Sequence, residues 1–302
     1  MKRLSIIIVT YHSEKDIYDC LASVYEHCDI DRKELEVIIV DNSQECEPMF
    51  TRLKQLYGDD LIMTHNTHNG GYGQGNNVGI RRATAPVIMI MNPDVRLCQP
   101  VFRHCLAEFD RNPRLVLYGF TQRQANGTIG HSAAWVNTVH PYIAEPLRFV
   151  MGKMNLFWPR FMYVTGACFF MRKESFAKAG LFDESIFMYG EEEDIRDRLM
   201  KLPGAQMGYD RRLSYQHLHP VPTDMSEETH DWMKGALNTM LKINRRNGIA
   251  DRRTICYAIK RNNISIWKEQ LKSLLTGGRN SDRLDYFRQW KRYLLSLDMT
   301  RG

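Results

Sequence analysis

Hydrophobic and polar positions are distributed unevenly along the chain, and the first ninety residues carry the clearest pattern. Residues 4–10, Leu-Ser-Ile-Ile-Ile-Val-Thr, form a nearly continuous β-branched run, as expected of a strand buried on both faces. Ser13 then stands where it can cap a helix in which Ile17, Leu21, Val24 and Tyr25 recur at helical spacing. A second apolar run, 35–40, ends in the polar Asp41-Asn42-Ser43. It is followed by a helix over 46–56, a short strand over 61–64 and a Gly/Asn-rich stretch, 65–79, leading into a helix that ends near Arg82. A fourth strand covers 86–91. Alternating helices and buried strands predict an α/β protein with a mostly parallel central sheet and helices on both faces. In such sheets ligands bind beyond the carboxyl ends of the strands, where Asp41, Asn69 to Asn77 and Asp94 fall.

The second half is less regular. Residues 116–120 and 163–171 read as strands. Residues 137–159 contain three prolines and no clear period, and are expected to form a loop-rich lid or acceptor wall. Residues 191–201 form a helix that runs from acidic to basic, favourable for its dipole, and 206–216 carry short strand patterns into His217. Beyond residue 226 the pattern is helical, with helices expected over 227–246, 252–261, 264–275 and 283–297. The predicted division is a nucleotide-binding α/β domain over 1–224 and a basic helical extension over 225–302.

Composition narrows the class. The 302 residues are 43% hydrophobic and 25% charged, which excludes disorder and fibrous repeats. No apolar run approaches the ~20 residues of a membrane-spanning helix, and the apolar stretch after Lys2-Arg3 collapses at Tyr11-His12, so it reads as a strand and not as a leader. Seven scattered cysteines without a Cys-x-x-Cys pair suggest reduced thiols and a cytoplasmic protein. The net charge of +6 is concentrated at one end: 225–302 holds 16 basic and 8 acidic residues, so the extension is +8 and the rest −2. With Trp267, Lys268, Lys272, Arg288, Trp290, Lys291 and Arg292 mixed through it, this segment suggests an attachment surface, either for the inner face of an anionic membrane or for a second copy. No nucleic-acid module accompanies it.

The polar motifs at the strand ends carry the chemistry. The cluster Gly70-Gly71-Tyr72-Gly73-Gln74-Gly75 is not a dinucleotide fingerprint, because position 78 is Val78 and the cluster follows the third strand, not the first. A Gly-Lys-Ser/Thr phosphate loop is also absent. Asn92-Pro93-Asp94 directly follows a strand: alone it is a turn signal, but a carboxylate with an amide two residues earlier suits a hard divalent cation shared with phosphate oxygens. Asp41-Asn42-Ser43 is either an Asx turn or a donor–acceptor pair for a nucleobase. The run Glu191-Glu192-Glu193-Asp194 is either a charged helix start or, behind the apolar Phe187-Met188-Tyr189-Gly190, the source of a general base for a sugar hydroxyl. His217 and His219 alternate along an extended segment and point to opposite faces.

In chain order these pieces are Leu4-Ser5-Ile6-Ile7-Ile8-Val9-Thr10-Tyr11, Val40-Asp41-Asn42-Ser43, the Asn69–Ile80 cluster, Met91-Asn92-Pro93-Asp94-Val95, Gly166-Ala167-Cys168-Phe169-Phe170-Met171-Arg172, Gly180-Leu181-Phe182-Asp183-Glu184 and Met188-Tyr189-Gly190-Glu191-Glu192. Together they resemble family 2 glycosyltransferases of the GT-A fold, in the rhamnosyltransferase-like branch, over residues 3–220. The resemblance implies that Thr10, Tyr11 and Asp41 hold the nucleobase and ribose of a sugar nucleotide, with Asn69, Asn76 and Asn77 near the ribose or diphosphate. It puts Asn92 and Asp94 at the family's metal motif, with Asp94 and His217 (or His219) toward Mn²⁺ or Mg²⁺. The family's catalytic pair falls on Glu191-Glu192, which makes Glu192 the general base, with Glu191 a rival and Asp194 a lesser one. The family's usual aspartate at this position is a glutamate here.

The implied activity is inverting, metal-dependent transfer from dTDP-rhamnose or a UDP-hexose to a saccharide or lipid-linked saccharide, in bacterial surface polysaccharide synthesis. Two rivals are an inactive glycosyltransferase-like scaffold and a sugar-phosphate nucleotidyltransferase. The second lacks its glycine-rich loop, since Thr10-Tyr11-His12-Ser13 contains no glycine.

Overall fold

The computed structural model describes residues 1–43, 45–136, 139–218, 227–276 and 281–300. Its strands are β1 (Leu4–Thr10), β2 (Leu35–Asp41), β3 (Leu61–His65), β4 (Val87–Met91), β5 (Val95–Leu97), β6 (Leu115–Gln124), β7 (Ala133–Trp135), β8 (Met162–Val164), β9 (Cys168–Arg172) and β10 (Gln206–His217). Its helices are α1 (Glu14–Glu26), α2 (Glu47–Tyr57), α3 (Gly71–Arg82), α4 (Phe102–Arg111), α5 (Pro141–Lys153), α6 (Lys173–Lys178), α7 (Glu191–Leu199), α8 (Glu227–Arg246), α9 (Asp251–Thr276) and α10 (Ser281–Thr300).

Eight strands form one sheet in the order β3-β2-β1-β4-β9-β6-β10-β5. The β-branched run of β1 lies parallel to β2, from Leu4 opposite Leu35 to Thr10 opposite Asp41, and parallel to β4 on its other side. Strand β9 is antiparallel to both β4 and β6, and β5 is antiparallel to β10, so the parallel half meets a mixed half at β4. Alternate side chains feed opposite faces. Ile6 and Ile8 pack with Leu21, Val24, Phe102 and Phe109, whereas Ile7 packs with Ile38, Ile80, Phe182 and Leu199. Helices therefore cover both faces, which is why β1, β2 and β4 read as unbroken apolar runs.

The chain divides into two compact units. One comprises Met1–Ala134 with Gly152–Pro220, and the other Trp135–Met151 with Val221–Gly302. The second unit has its own core, in which Leu237, Leu241, Ile255, Trp290 and Leu294 meet.

Three local expectations are corrected. The region expected to be loop-rich holds the thirteen-residue helix α5, which accommodates Pro146 within it. The two helices expected over 252–275 are one continuous helix, α9, because Asn262 and Asn263 lower helix propensity without breaking it. The short strand patterns over 206–216 are one long strand, β10, whose pairing with β6 shifts register between Asp210 and Ser214; that irregularity disturbs the two-residue alternation. Among the described residues, no helix is long and apolar enough to cross a membrane.

Candidate active site

The carboxyl ends of β1, β2, β3 and β4 gather most of the polar residues singled out above. Register places Thr10 beside Asp41, and the Thr10 hydroxyl donates to Asp41 Oδ2 at 2.5 Å. The other oxygen, Oδ1, accepts from the Ser43 backbone N–H at 2.9 Å and from its hydroxyl, so Asp41-Asn42-Ser43 closes as an Asx turn around a buried carboxylate. His65 Nε2 lies 2.9 Å from the Ser43 carbonyl, joining β3 to this corner. Tyr11 is exposed and stacks edge-on to His12.

A second network consists of amides. Asn42 Oδ1 accepts from Asn66 at 2.8 Å, and Asn66 also donates to Gln74 Oε1 at 2.6 Å. Asn69 Oδ1 accepts the Gly71 N–H at 3.1 Å, an Asx turn that leads into α3. Gly71 has φ of +86°, and a Cβ there would stand 1.8 Å from the Phe187 carbonyl oxygen, so only glycine lets α3 approach the segment before α7. Asn76 donates to the Tyr72 carbonyl at 2.9 Å, while its buried Oδ1 has no hydrogen-bond partner among the described residues. Asn77 is turned the other way: its amide brackets Phe182, donating to the Phe182 carbonyl at 2.9 Å and accepting its N–H at 3.0 Å, and also donates to Glu184.

The acidic run begins α7. Tyr189 and Gly190, with φ of +70° and +94°, turn the chain abruptly into the helix. That turn aims neighbouring carboxylates in different directions. Glu192 Oε1 accepts the Gly166 backbone N–H at 2.9 Å, and the Gly166 carbonyl accepts the Tyr72 hydroxyl. Burial pushes the Glu192 carboxyl above the ordinary glutamate range, partly offset by backbone N–H donors including that of Gly166. Glu191 is buried, and its Oε2 lacks a partner among the described residues. Burial first, and the Glu192 charge second, hold it well above the usual range. Asp194 is fully buried and paired with Arg198, whose Nε donates to it at 2.9 Å. Arg198 also donates to the Ala179 and Leu181 carbonyls, so this carboxylate anchors the turn after α6.

On the other side of β4, the Asn92 N–H donates to the Ala167 carbonyl at 2.8 Å, and Arg96 holds the Pro93 carbonyl at 3.0 Å. The β5–β10 pairing sets His217 opposite Val95, and His217 Nε2 lies 3.1 Å from Asp94 Oδ2.

A family model, Glycosyl transferase family 2, matches residues 5–180. The chain belongs to glycosyl transferase family 2. It is 27% identical over 232 residues to the low-salt glycan biosynthesis hexosyltransferase Agl10 of Haloferax volcanii, covering 75% of this chain and 71% of that protein. It is 29% identical over 132 residues to the N-acetylglucosaminyl-diphospho-decaprenol L-rhamnosyltransferase of Mycobacterium tuberculosis, covering 38% of this chain and 41% of that one. Among solved structures, a mannosyltransferase from Pyrobaculum calidifontis in complex with GDP-Man and Mn²⁺ superposes with a TM-score of 0.54 at 16% identity, covering 99% of this chain and 86% of that chain. The sheet and its flanking helices are those of the GT-A fold.

Family 2 enzymes of this fold raise the question of a divalent cation. Among the described residues no group of three or more His, Cys, Asp and Glu side chains converges on one point. Asp94 and His217 do face each other with little exposure, giving one oxygen and one nitrogen donor. Two protein ligands fit a Mn²⁺ or Mg²⁺ ion that takes its remaining ligands from substrate phosphate and water, as such ions do. His219 lies outside the described residues.

The structure therefore joins Thr10 to Asp41, Asn69 to the start of α3, and Asp94 to His217, and it sets Asn77 against Phe182. Sequence reasoning missed Gly166 and Tyr72, the two residues that seat Glu192, as well as Asn66 and Gln74. Gly166 stood in a quoted motif, yet its role depends on a contact with a helix 26 residues away, which no local pattern reports.

Proposed function

We propose that this glycosyltransferase moves a hexosyl group, with inversion, from a nucleoside-diphosphate sugar to a saccharide or lipid-linked saccharide acceptor, using Glu192 as general base. The named relatives act in glycan biosynthesis and on a lipid-diphosphate sugar, which supports an acceptor of that class in surface polysaccharide synthesis. The donor fits dTDP-rhamnose or a UDP-hexose, with Thr10, Tyr11 and Asp41 toward the nucleoside and Asn69, Asn76 and Asn92 toward the ribose and diphosphate.

The observation that carries the reading is the contrast between two adjacent glutamates. Glu191 is sealed in, whereas Glu192 is only half-buried and has one oxygen held by Gly166. A base must be fixed in orientation and shifted above the ordinary carboxylate range, and the Gly166 contact and the raised Glu192 carboxyl support that role for Glu192. Its second oxygen accepts the proton of the acceptor hydroxyl as the hydroxyl oxygen of the acceptor bonds to the anomeric carbon. The bond from this carbon to the diphosphate oxygen breaks on the opposite face, and the electron pair leaves with the diphosphate. Asp94 and His217 would hold a divalent cation, which supplies charge neutralisation for the diphosphate.

General-base catalysis contributes about 10²–10⁴-fold, so Glu192→Gln should lower turnover by at least about 100-fold while donor affinity is kept. Steady-state transfer together with calorimetric donor binding checks this. Near-normal transfer by Glu192→Gln, or a comparable loss confined to Glu191→Gln, removes Glu192 from the role.

A further inference from the structure

Over 143–150 of α5 and 262–274 of α9, two helices of the second unit turn apolar side chains outward, although the first half of α9 contributes Ile255 to the core. In α5, Ala144 is buried and Glu145 mostly covered, while Ile143, Leu147 and Val150, spaced i, i+4, i+7, line the exposed side, Ile143 at 58% and Val150 at 50%. In α9, Asn262 and Glu269 are buried, while Trp267, Leu271 and Leu274 take the same spacing on the exposed side, Trp267 at 61% and Leu274 at 82%. A water-facing helix normally does the reverse, and apolar residues gathered on an exposed face mark an interaction site.

The two helices are neighbours. Lys260 Nζ lies 3.3 Å from His140 Nε2, and Lys268 Nζ donates to Glu145 at 2.8 Å, so positions advance in the same sense along both. The inward carboxylates hold cations at the margin of the apolar stripes: Glu145 pairs with Lys268 and Arg148, and Glu269 with Lys272.

We propose that the α5–α9 face is a membrane-surface docking site for anionic lipid, lying in the interface without crossing it. Charge decides the occupant. The segment 225–302 carries +8, so a second copy would bring two such segments together, whereas an acidic bilayer complements it. Exposed aliphatic side chains, a tryptophan and flanking lysines and arginine are the chemistry that enters a headgroup–acyl boundary. No described helix is long and apolar enough to span a membrane.

The test is co-sedimentation of the full chain with vesicles of phosphatidylcholine alone and of phosphatidylcholine with phosphatidylglycerol, for wild type and for Leu147→Glu/Leu271→Glu. Both leucines are exposed and belong to the second unit, so circular dichroism and binding of whichever of UDP and dTDP the wild type takes should match wild type. Wild type should partition to the phosphatidylglycerol vesicles, and the variant should lose at least about tenfold in partitioning. Equal partitioning of a folded variant, or no partitioning of wild type, overturns the proposal. So does a concentration-dependent wild-type dimer that the same substitutions disperse, which would assign the face to a second copy.

Discussion

Glu191 and Glu192 share a helix turn but not an environment, and the difference has a consequence for stability. Both carboxyls are held above their ordinary range, Glu191 chiefly by burial and then by its neighbour's charge. A carboxyl whose pKa is raised by folding favours the protonated native state. Its contribution is present below the unfolded pKa and lost as pH rises through the folded one. Glu191→Gln removes that charge, so the variant should gain on wild type as pH rises above the ordinary glutamate range and show no such gain below it. Thermal unfolding of both proteins across this range measures it, and a difference independent of pH contradicts the assignment. Residue identity alone left Glu191, Glu192 and Asp194 open as bases. Burial and the Gly166 contact give the three different surroundings and are tertiary facts, whereas the Arg198 partner of Asp194 is an i, i+4 contact within α7.

Two helices converge on the segment between β8 and β9, and Gly166 is where they touch it. Its N–H meets α7 through Glu192, and its carbonyl meets α3 through Tyr72. A Cβ at this position would lie 2.4 Å from Glu192 Oε1, so glycine serves close approach here and not an unusual backbone angle. Gly166→Ala should therefore displace the carboxylate and lower turnover about tenfold or more, with donor binding within about twofold of wild type. Transfer rates beside calorimetric affinity decide it; unchanged turnover means that Glu192 is not seated by this contact. At this scale the sequence was legible where burial is two-sided, as in Ile6-Ile7-Ile8, whose run announces a central strand. It was opaque in α5, where Pro146 and an outward apolar face removed the cues to a helix. It was also opaque in β10, where an irregularity interrupts the alternation.

Across the molecule, chemistry and charge are separated. The polar networks belong to the first unit, at the carboxyl ends of the parallel strands, where a doubly covered sheet leaves its crevice. The excess positive charge belongs to 225–302. Both features were readable early, because buried parallel strands and charge bias are properties of composition along the chain. The Asp94–His217 approach followed only from the family resemblance, since no local pattern reports that β5 folds back beside β10. The central claim is that these strand ends form a working nucleotide-sugar site. Calorimetric titration of UDP and dTDP into the full chain, with and without Mn²⁺, tests it without any acceptor. The expected result is Mn²⁺-dependent binding of one of the two nucleotides, weakened at least about tenfold by Asp94→Ala. Absence of binding by both nucleotides, with and without Mn²⁺, would contradict a working donor site and leave a glycosyltransferase fold serving as a scaffold.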